Sequence, residues 1–267
     1  MAQAPGGTPD TSSEQTEWLT NLSQLRRNAE QQPLQSHPFR IVADVFDVDP
    51  AAGVLVLRDA SGIEFIQLEL RDKQLEPGSK VCLEATGCGV KTKSFGLAIV
   101  PGMVADNDGI HGMMTQSGTA FLHAGTNPLT CQWFNRLGDF GLAVDFEGPG
   151  LSRRRIPNRA LVRAQVNAAG SSNLSRGLDY KCFQGAWTYL PDFAKLHPVK
   201  TGVATNFDLE VRTRKENVGL EFTGFIKIPR DGLYTFHLAS DDGARLMIGE
   251  PLLDVRVLSQ AVRGLPC

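Results

Sequence analysis

From Val104 onward, apolar residues recur at every second position over long stretches, and that spacing commits the chain to sheets. Leu220, Phe222, Ile226 and Ile228 share one face, with Glu221, Thr223 and Lys227 on the other. Pro229-Arg230-Asp231-Gly232 is a turn signal, after which Tyr234, Phe236 and Leu238 resume the inward face. Leu129, Cys131 and Trp133, then Leu142, Val144 and Phe146, repeat the pattern upstream. An antiparallel sheet with one dry face must bury it against another layer, so an all-β sandwich is expected.

The region before it reads as a second, smaller β unit. Five short strands are predicted at Phe39–Phe46, Val54–Leu57, Ile63–Leu70, Val81–Ala85 and Phe95–Val100, with turns at Asp47–Gly53, Asp59–Gly62 and Pro77-Gly78. No helix long enough for a crossover separates them, which suggests a small five-stranded barrel over residues 33–103. The runs DVDPAAGVLVLRDASG and LEPGSKVCLEATG resemble the oligonucleotide/oligosaccharide-binding barrel. Lys91 and Lys93 are candidates for a binding face, but Phe95 is the only aromatic near them in sequence. Stacking platforms and a basic groove are what single-strand binders need. A spacer role, with no nucleic-acid partner, is the expectation.

Ahead of the barrel, residues 1–12 are rich in Pro, Gly, Ser and Thr and are expected to be disordered. A short amphipathic helix is predicted over 13–32, with Thr11 and Glu14 as a capping box and Trp18, Leu22, Leu25 and Ala29 on one face. Pro33 ends it. Residues 151–176, with Ala168–Ser172 at their centre, read as an irregular connector, and Arg153-Arg154-Arg155 within them as solvated linker. Residues 251–267 form a tail containing one strand at Leu252–Leu258.

Composition narrows the function. The 267 residues carry a formal net charge of −2, which does not suit a chain built to neutralise phosphates. No run of 18 apolar residues occurs, so no membrane insertion is expected, and Met1–Asp10 shows no secretory signal pattern. The five cysteines (Cys82, Cys88, Cys131, Cys182, Cys267) include no CxxC pair. Cys82 and Cys88 could face each other across a hairpin; inert buried thiols are the reading adopted. Common catalytic motifs are missing, and His37, His111, His123, His197 and His237 are scattered without metal-ligand spacing, so no enzyme activity is expected. His237 alternates outward and reads as a solvated surface residue.

Two segments carry a family resemblance. Gly177–Gly249 (GLDYKCFQGAWTYLPDF … GFIKIPRDGLYTFHLASDDGARLMIG) reads as the opening part of a β-sandwich, and Val104–Gly150 (VADNDGIHGMMTQSGTAFLHAGTNPLTCQWFN … GLAVDFEGPG) as its closing part. Together they resemble the protective-antigen-type (PA-fourteen) domain, a β-sandwich often used for carbohydrate binding. In that family the run ending in DDGxRLxI passes straight into a VVDNDGxHG-like run. Here the order is reversed. Neither half can hide two faces alone, so the halves 104–150 and 177–250 are expected to pair within the chain as a circularly permuted sandwich, 104–250. The alternative is a window on a longer tandem array. Closure inside the chain places Ala244–Ile248 beside Met103–Ala105.

The resemblance implies a site at Ser240-Asp241-Asp242-Gly243. In sugar-binding members a matching Asp-Asp pair, joined by a cis peptide, holds calcium, and the calcium holds sugar hydroxyls. Asp241 and Asp242 are therefore the metal-site candidates, with Asn107 and Asp108 lining the same carbohydrate site. Adjacent carboxylates at a loop tip repel unless solvated or neutralised, which suits a cation. A β-turn whose aspartates cap backbone amides is the competing reading. Trp187, Tyr189 and Phe193 form an aromatic cluster read as packing rather than a sugar platform. The resulting expectation is a non-catalytic, calcium-assisted module for a glycan or cell-surface polysaccharide, in a larger extracellular or periplasmic protein. The competing class is a structural or ligand-sensing spacer of a multidomain signalling protein. Asp242→Asn is expected to abolish binding while barely changing the fold.

Overall fold

The computed structural model describes residues 18–68, 70, 75–166 and 172–258. Among them are one α-helix, α1 (Leu22–Gln31), and nineteen strands. The first group is β1 (Phe39–Asp49), β2 (Val54–Asp59), β3 (Gly62–Gln67), β4 (Lys80–Thr86), β5 (Cys88–Thr92) and β6 (Leu97–Pro101). The second comprises β7 (Met103–Asn107), β8 (Met114–Leu122), β9 (Gly125–Asn135), β10 (Gly141–Gly148), β11 (Leu151–Arg155), β12 (Leu161–Val166), β13 (Ser172–Arg176), β14 (Leu178–Gln184), β15 (Lys200–Ala204), β16 (Val218–Ile228), β17 (Gly232–Asp241) and β18 (Ala244–Ile248). Last comes β19 (Leu252–Val257). Apart from α1 and short 3₁₀ turns, the described residues form an all-β structure.

α1 begins later than its periodicity suggests. Residues 18–21 are not helical, and Asn21 is the N-cap, its Oδ1 accepting from the Gln24 amide at 2.9 Å. Thr11, Glu14 and residues 1–12 lie outside the described residues. Leu22, Leu25 and Ala29 turn inward, and Arg26 binds the buried Glu64 carboxylate through two hydrogen bonds of 2.6 Å, fixing the helix on β3.

The N-terminal sheet has the order β19-β4-β1-β2-β3-β6-β5. Its pairs are antiparallel except β3–β6. β4 pairs with β1 and β5 with β6, and Gly87 alone separates β4 from β5. A φ of +65° at Gly87 makes that bend, a conformation glycine enters without steric cost. β5 was not anticipated, because Cys88–Thr92 holds only a short alternation. Phe95 is joined on this unit's surface by exposed Phe46 and Phe65, so it is not the only ring there, and Arg58 stacks over Phe46 at 5.8 Å. Cys82 is disulfide-bonded rather than an inert thiol, and it is not paired with Cys88. Cys88, Cys131 and Cys182 are free and buried, and burial pushes the Cys88 thiol up to about 12.

The larger unit is a sandwich. A four-stranded sheet, β11-β10-β17-β8, faces a sheet of order β13-β12-β16-β9-β18-β7, to which β14 and β15 add beside β16. Both layers mix the two segments: β17 lies between β8 and β10, and β9 lies between β16 and β18. β18 also pairs with β7, Leu246 opposite Ala105 and Arg245 opposite Asp106. The expected contact between Ala244–Ile248 and the strand at Met103 is therefore present. Trp133, Tyr234, Phe222, Phe236, Leu220 and Val144 fill the space between the layers. Close approach of chain to chain fixes Gly118: a Cβ there would sit 1.6 Å from the Val104 carbonyl oxygen.

Residues 151–176 are not an irregular connector. β11 extends the four-stranded sheet, and β12 pairs with both β13 and β16. Arg153 and Arg155 stand on β11 and bind the Asp145 carboxylate at 3.3 and 2.8 Å, so the arginine run is part of a strand. Residues 167–171 lie outside the described residues. After β18 the chain leaves the sandwich, and β19 pairs with β4 in the N-terminal sheet. Among the described residues no helix is long and apolar enough to cross a membrane.

Candidate functional site

β17 delivers Asp241 to one end of the sandwich, and the Asp242-Gly243 turn starts β18. Gly243 has no room for a side chain, since a Cβ would meet Phe134 at 2.4 Å and Asp108 Oδ1 at 2.9 Å. That crowding brings the corner against the loop after β7. The fold thus gathers all four predicted residues, Asp241, Asp242, Asn107 and Asp108, at one end. They do not have equivalent roles.

Asp242 is 3% exposed. Its Oδ1 accepts the His111 amide at 3.2 Å and its Oδ2 the Arg136 amide at 2.8 Å. The carboxylate ties the corner to two other loops, so Asp242→Asn would set an amide NH₂ against a backbone N–H. Asn107 is buried as well, and its Nδ2 donates to the Met114 carbonyl at 3.1 Å and to Ser240 Oγ at 2.8 Å. Asp108 accepts from the Leu190 amide at 2.7 Å and from Arg245 Nη2 at 2.8 Å. Three of the four side chains therefore hold loops together.

Asp241 differs. Its carbonyl accepts from Trp133 Nε1 at 2.9 Å, but its carboxylate accepts no hydrogen bond among the described residues. Burial raises its pKa above the ordinary carboxylate value, and the charges of Asp242 and Asp139 raise it further, against the opposing effect of His111. A surplus of negative charge is concentrated at this carboxylate.

His111 was not foreseen as part of the site. Its ring nitrogens meet two carbonyl oxygens, Nδ1 the Gly112 oxygen at 2.8 Å and Nε2 the Asn107 oxygen at 2.9 Å. Burial lowers its pKa, but the two carbonyls and the Asp242 and Asp241 charges outweigh that, and the net shift is upward. Arg245 was also missed. It bonds Asp106 at 2.9 Å as well as Asp108, and Lys91 of β5 closes on the other oxygen of Asp106. Lys91 is thereby spent on an ion pair rather than displayed on a binding face. The available signal was the cross-strand position: Arg245 in DDGAR faces Asp106 once the two runs are paired.

The aromatic cluster divides. Phe193 is buried against Phe183 at 4.7 Å and Trp187 meets it edge-on at 6.2 Å, whereas Tyr189 is 67% exposed beside Gly109 at the end that carries Asp241. His237 is not simply solvated either. Its Nδ1 meets Ser117 Oγ at 2.7 Å and its Nε2 meets Glu147 Oε1 at 3.1 Å. These residues stand on neighbouring strands, β8, β17 and β10, of one sheet face, and cross-strand pairing explains the contacts.

Calcium takes 6–8 oxygens. Among the described residues no three His, Cys, Asp or Glu side chains converge to hold a metal, and both Asp242 oxygens already accept amides. No peptide bond among the described residues is cis, so Asp241–Asp242 lacks the cis bond that the resemblance implies. As folded, the corner supplies an unbalanced carboxylate that suits a cation but not a closed protein cage.

A family model described as the PA14 domain matches residues 210–260. The matched stretch contains β16, β17, the Asp241-Asp242-Gly243 corner, β18 and β19; Asn107 and Asp108 lie outside it. No curated protein and no solved structure matches the chain. The PA14 match and the sandwich thus meet at the corner that carries Asp241.

Proposed function

We propose that this chain is a non-catalytic carbohydrate-binding or adhesion module that meets its glycan at the Asp241 corner. The observation that carries the reading is Asp241 itself: a carboxylate without a hydrogen bond among the described residues, within the PA14 match, at one end of the sandwich. Carboxylates accept from sugar hydroxyls, and exposed Tyr189 offers a ring face on the same end. Calcium would bind at Asp241 and neutralise its charge, with water or sugar hydroxyls as its other oxygens. Asp242, Asn107 and Asp108 act by holding the corner in shape. The disulfide at Cys82 supports an extracellular or periplasmic setting, since such bonds persist in oxidising compartments.

One observation favours a second reading. Through Asp242 the DDG corner is knitted into two other loops, as a purely structural turn would be, and a spacer needs nothing more. Retention on immobilised polysaccharides, with and without chelator, separates the two. The module is retained on at least one polysaccharide; a spacer elutes unretarded from all of them.

A further inference from the structure

The two units do not meet flush. Between them lies a cleft of 570 Å³, at the end of β18 opposite the Asp241 corner. That is the size of a small-molecule pocket. Two half-exposed rings line it, Trp18 from the segment before α1 (40% exposed) and Phe121 from β8 (41% exposed). Each ring is braced from behind or beside. The Arg40 guanidinium lies 5.0 Å from the Trp18 ring centroid and is itself anchored to Glu84 at 2.7 Å. His123 meets Phe121 edge-on at 5.3 Å.

Polar groups in the cleft wall are buried and only partly used. Asn127 is 8% exposed; its Nδ2 donates to the His123 carbonyl at 2.8 Å, while its Oδ1 accepts nothing among the described residues. Ser36 is 6% exposed, and its backbone amide is committed to the Thr119 carbonyl at 3.0 Å. Its Oγ also has no partner among the described residues. Glu250 adds an exposed carboxylate at the rim. Neither atom is fully buried, so solvent can reach both in the free protein, and a ligand that covers them must replace that water with its own hydrogen-bonding groups.

This lining sets the ligand chemistry. Asn127 Oδ1 and Glu250 accept, and Ser36 Oγ can do either, so the ligand must bring donors. An anion would meet Glu250 with no Lys or Arg among the lining residues to offset it, and a hydrocarbon would leave Asn127 and Ser36 unsatisfied. A neutral sugar ring supplies both an apolar face for Trp18 or Phe121 and several hydroxyl donors.

We propose that this cleft is a second carbohydrate site, independent of calcium and of Asp241. It shares the ligand class of the preceding proposal but not its residues, so each can fail alone. The test is a titration of the ¹⁵N-labelled full chain in chelator with the methyl glycosides of glucose, galactose, mannose and N-acetylglucosamine. The expected result is saturable movement of the Trp18 indole and Asn127 side-chain amide signals with at least one glycoside. Trp18→Ala and Phe121→Ala should each weaken that binding ~10-fold or more, in line with losing a ring-stacking contact, while both retain the wild-type spectrum elsewhere. Asp241→Asn should leave it unchanged. The proposal is overturned if none of the four moves the Trp18 signal, if both ring variants bind like wild type, or if the shifts vanish in Asp241→Asn. Retention on a polysaccharide lost in Asp241→Asn but intact in Trp18→Ala would leave the corner standing without the cleft.

Discussion

Arg245 and Asp106, 139 positions apart in the chain, face each other across β18 and β7 and share a 2.9 Å hydrogen bond. Lys91 reaches the other oxygen of Asp106 from the N-terminal sheet, and Asp108 takes the far end of Arg245. One small charge cluster thus joins both segments of the sandwich to the unit before them. Removing Arg245 would leave two nearly buried carboxylates, Asp106 with Lys91 and Asp108 with the Leu190 amide as partners among the described residues. Arg245→Met is expected to lower unfolding free energy by about 2 kcal/mol, the usual cost of orphaning a charged hydrogen bond. Denaturant titration checks this, and a loss under ~0.5 kcal/mol would show the cluster to be a solvated surface pair.

Asp106 contributes to the acid limb of stability. Burial raises its pKa, but Lys91 and Arg245 outweigh burial and bring it below the ordinary value of 3.8. A depressed folded pKa contributes stability that is present above pH 3.8 and lost as pH falls through the folded value. Comparison of Asp106→Asn with wild type should show a stability gap at neutral pH that closes in acid below pH 3.8. A gap independent of pH would contradict the assignment.

His111 acts in the other direction. Its folded pKa lies above 6.5 because Asn107, Gly112 and the corner carboxylates outweigh burial. Its contribution is therefore complete below pH 6.5 and disappears as pH rises through the folded value. His111→Gln should be less stable than wild type near pH 5.5, and the difference in Tm should shrink by pH 9.

Asp241 is expected to cost stability rather than supply it. Its raised pKa means that the fold disfavours the ionised form, so above pH 3.8 its charge works against folding. Asp241→Asn should raise Tm at neutral pH in chelator. A lower Tm would mean that this carboxylate, like that of Asp242, is a structural staple. Binding residues that are electrostatically strained without ligand commonly show this exchange of stability for function.

Gly118 tests how the two segments interlock. With a Cβ position 1.6 Å from the Val104 oxygen, Gly118→Ala must push β8 away from β7. A loss of about 2 kcal/mol is expected from overpacking of this kind, measured by denaturant titration.

Strand periodicity made most of the sandwich legible from sequence: the alternations at Leu129–Trp133, Leu142–Phe146 and Leu220–Leu238 became β9, β10, β16 and β17. The β7–β18 contact followed from the unburied faces of each segment together with the strand order that the PA-fourteen resemblance implies. β5, β11 and β13 were harder, because Cys88–Thr92 is short and Leu151–Arg155 and Ser172–Arg176 are largely polar edge strands without an alternating apolar face. Sequence located the corner but not its division of labour. Asp241 and Asp242 are neighbours of one type, and only the positions of the His111 and Arg136 amides make one a staple and leave the other free. The interunit cleft had no local signature at all, since Trp18, Asn127 and Glu250 are distant in sequence and are brought together by the packing of the two units, including the return of β19 to β4 and the Ser36–Thr119 hydrogen bond.

The most direct measurement is a glycan array probed with the full chain, wild type beside Asp241→Asn, in calcium and in chelator. The carbohydrate reading predicts at least one glycan bound by wild type in calcium, with that signal reduced in Asp241→Asn although the variant is folded. Identical arrays for the two proteins under both conditions would contradict it, and would assign the Asp241 corner to turn geometry.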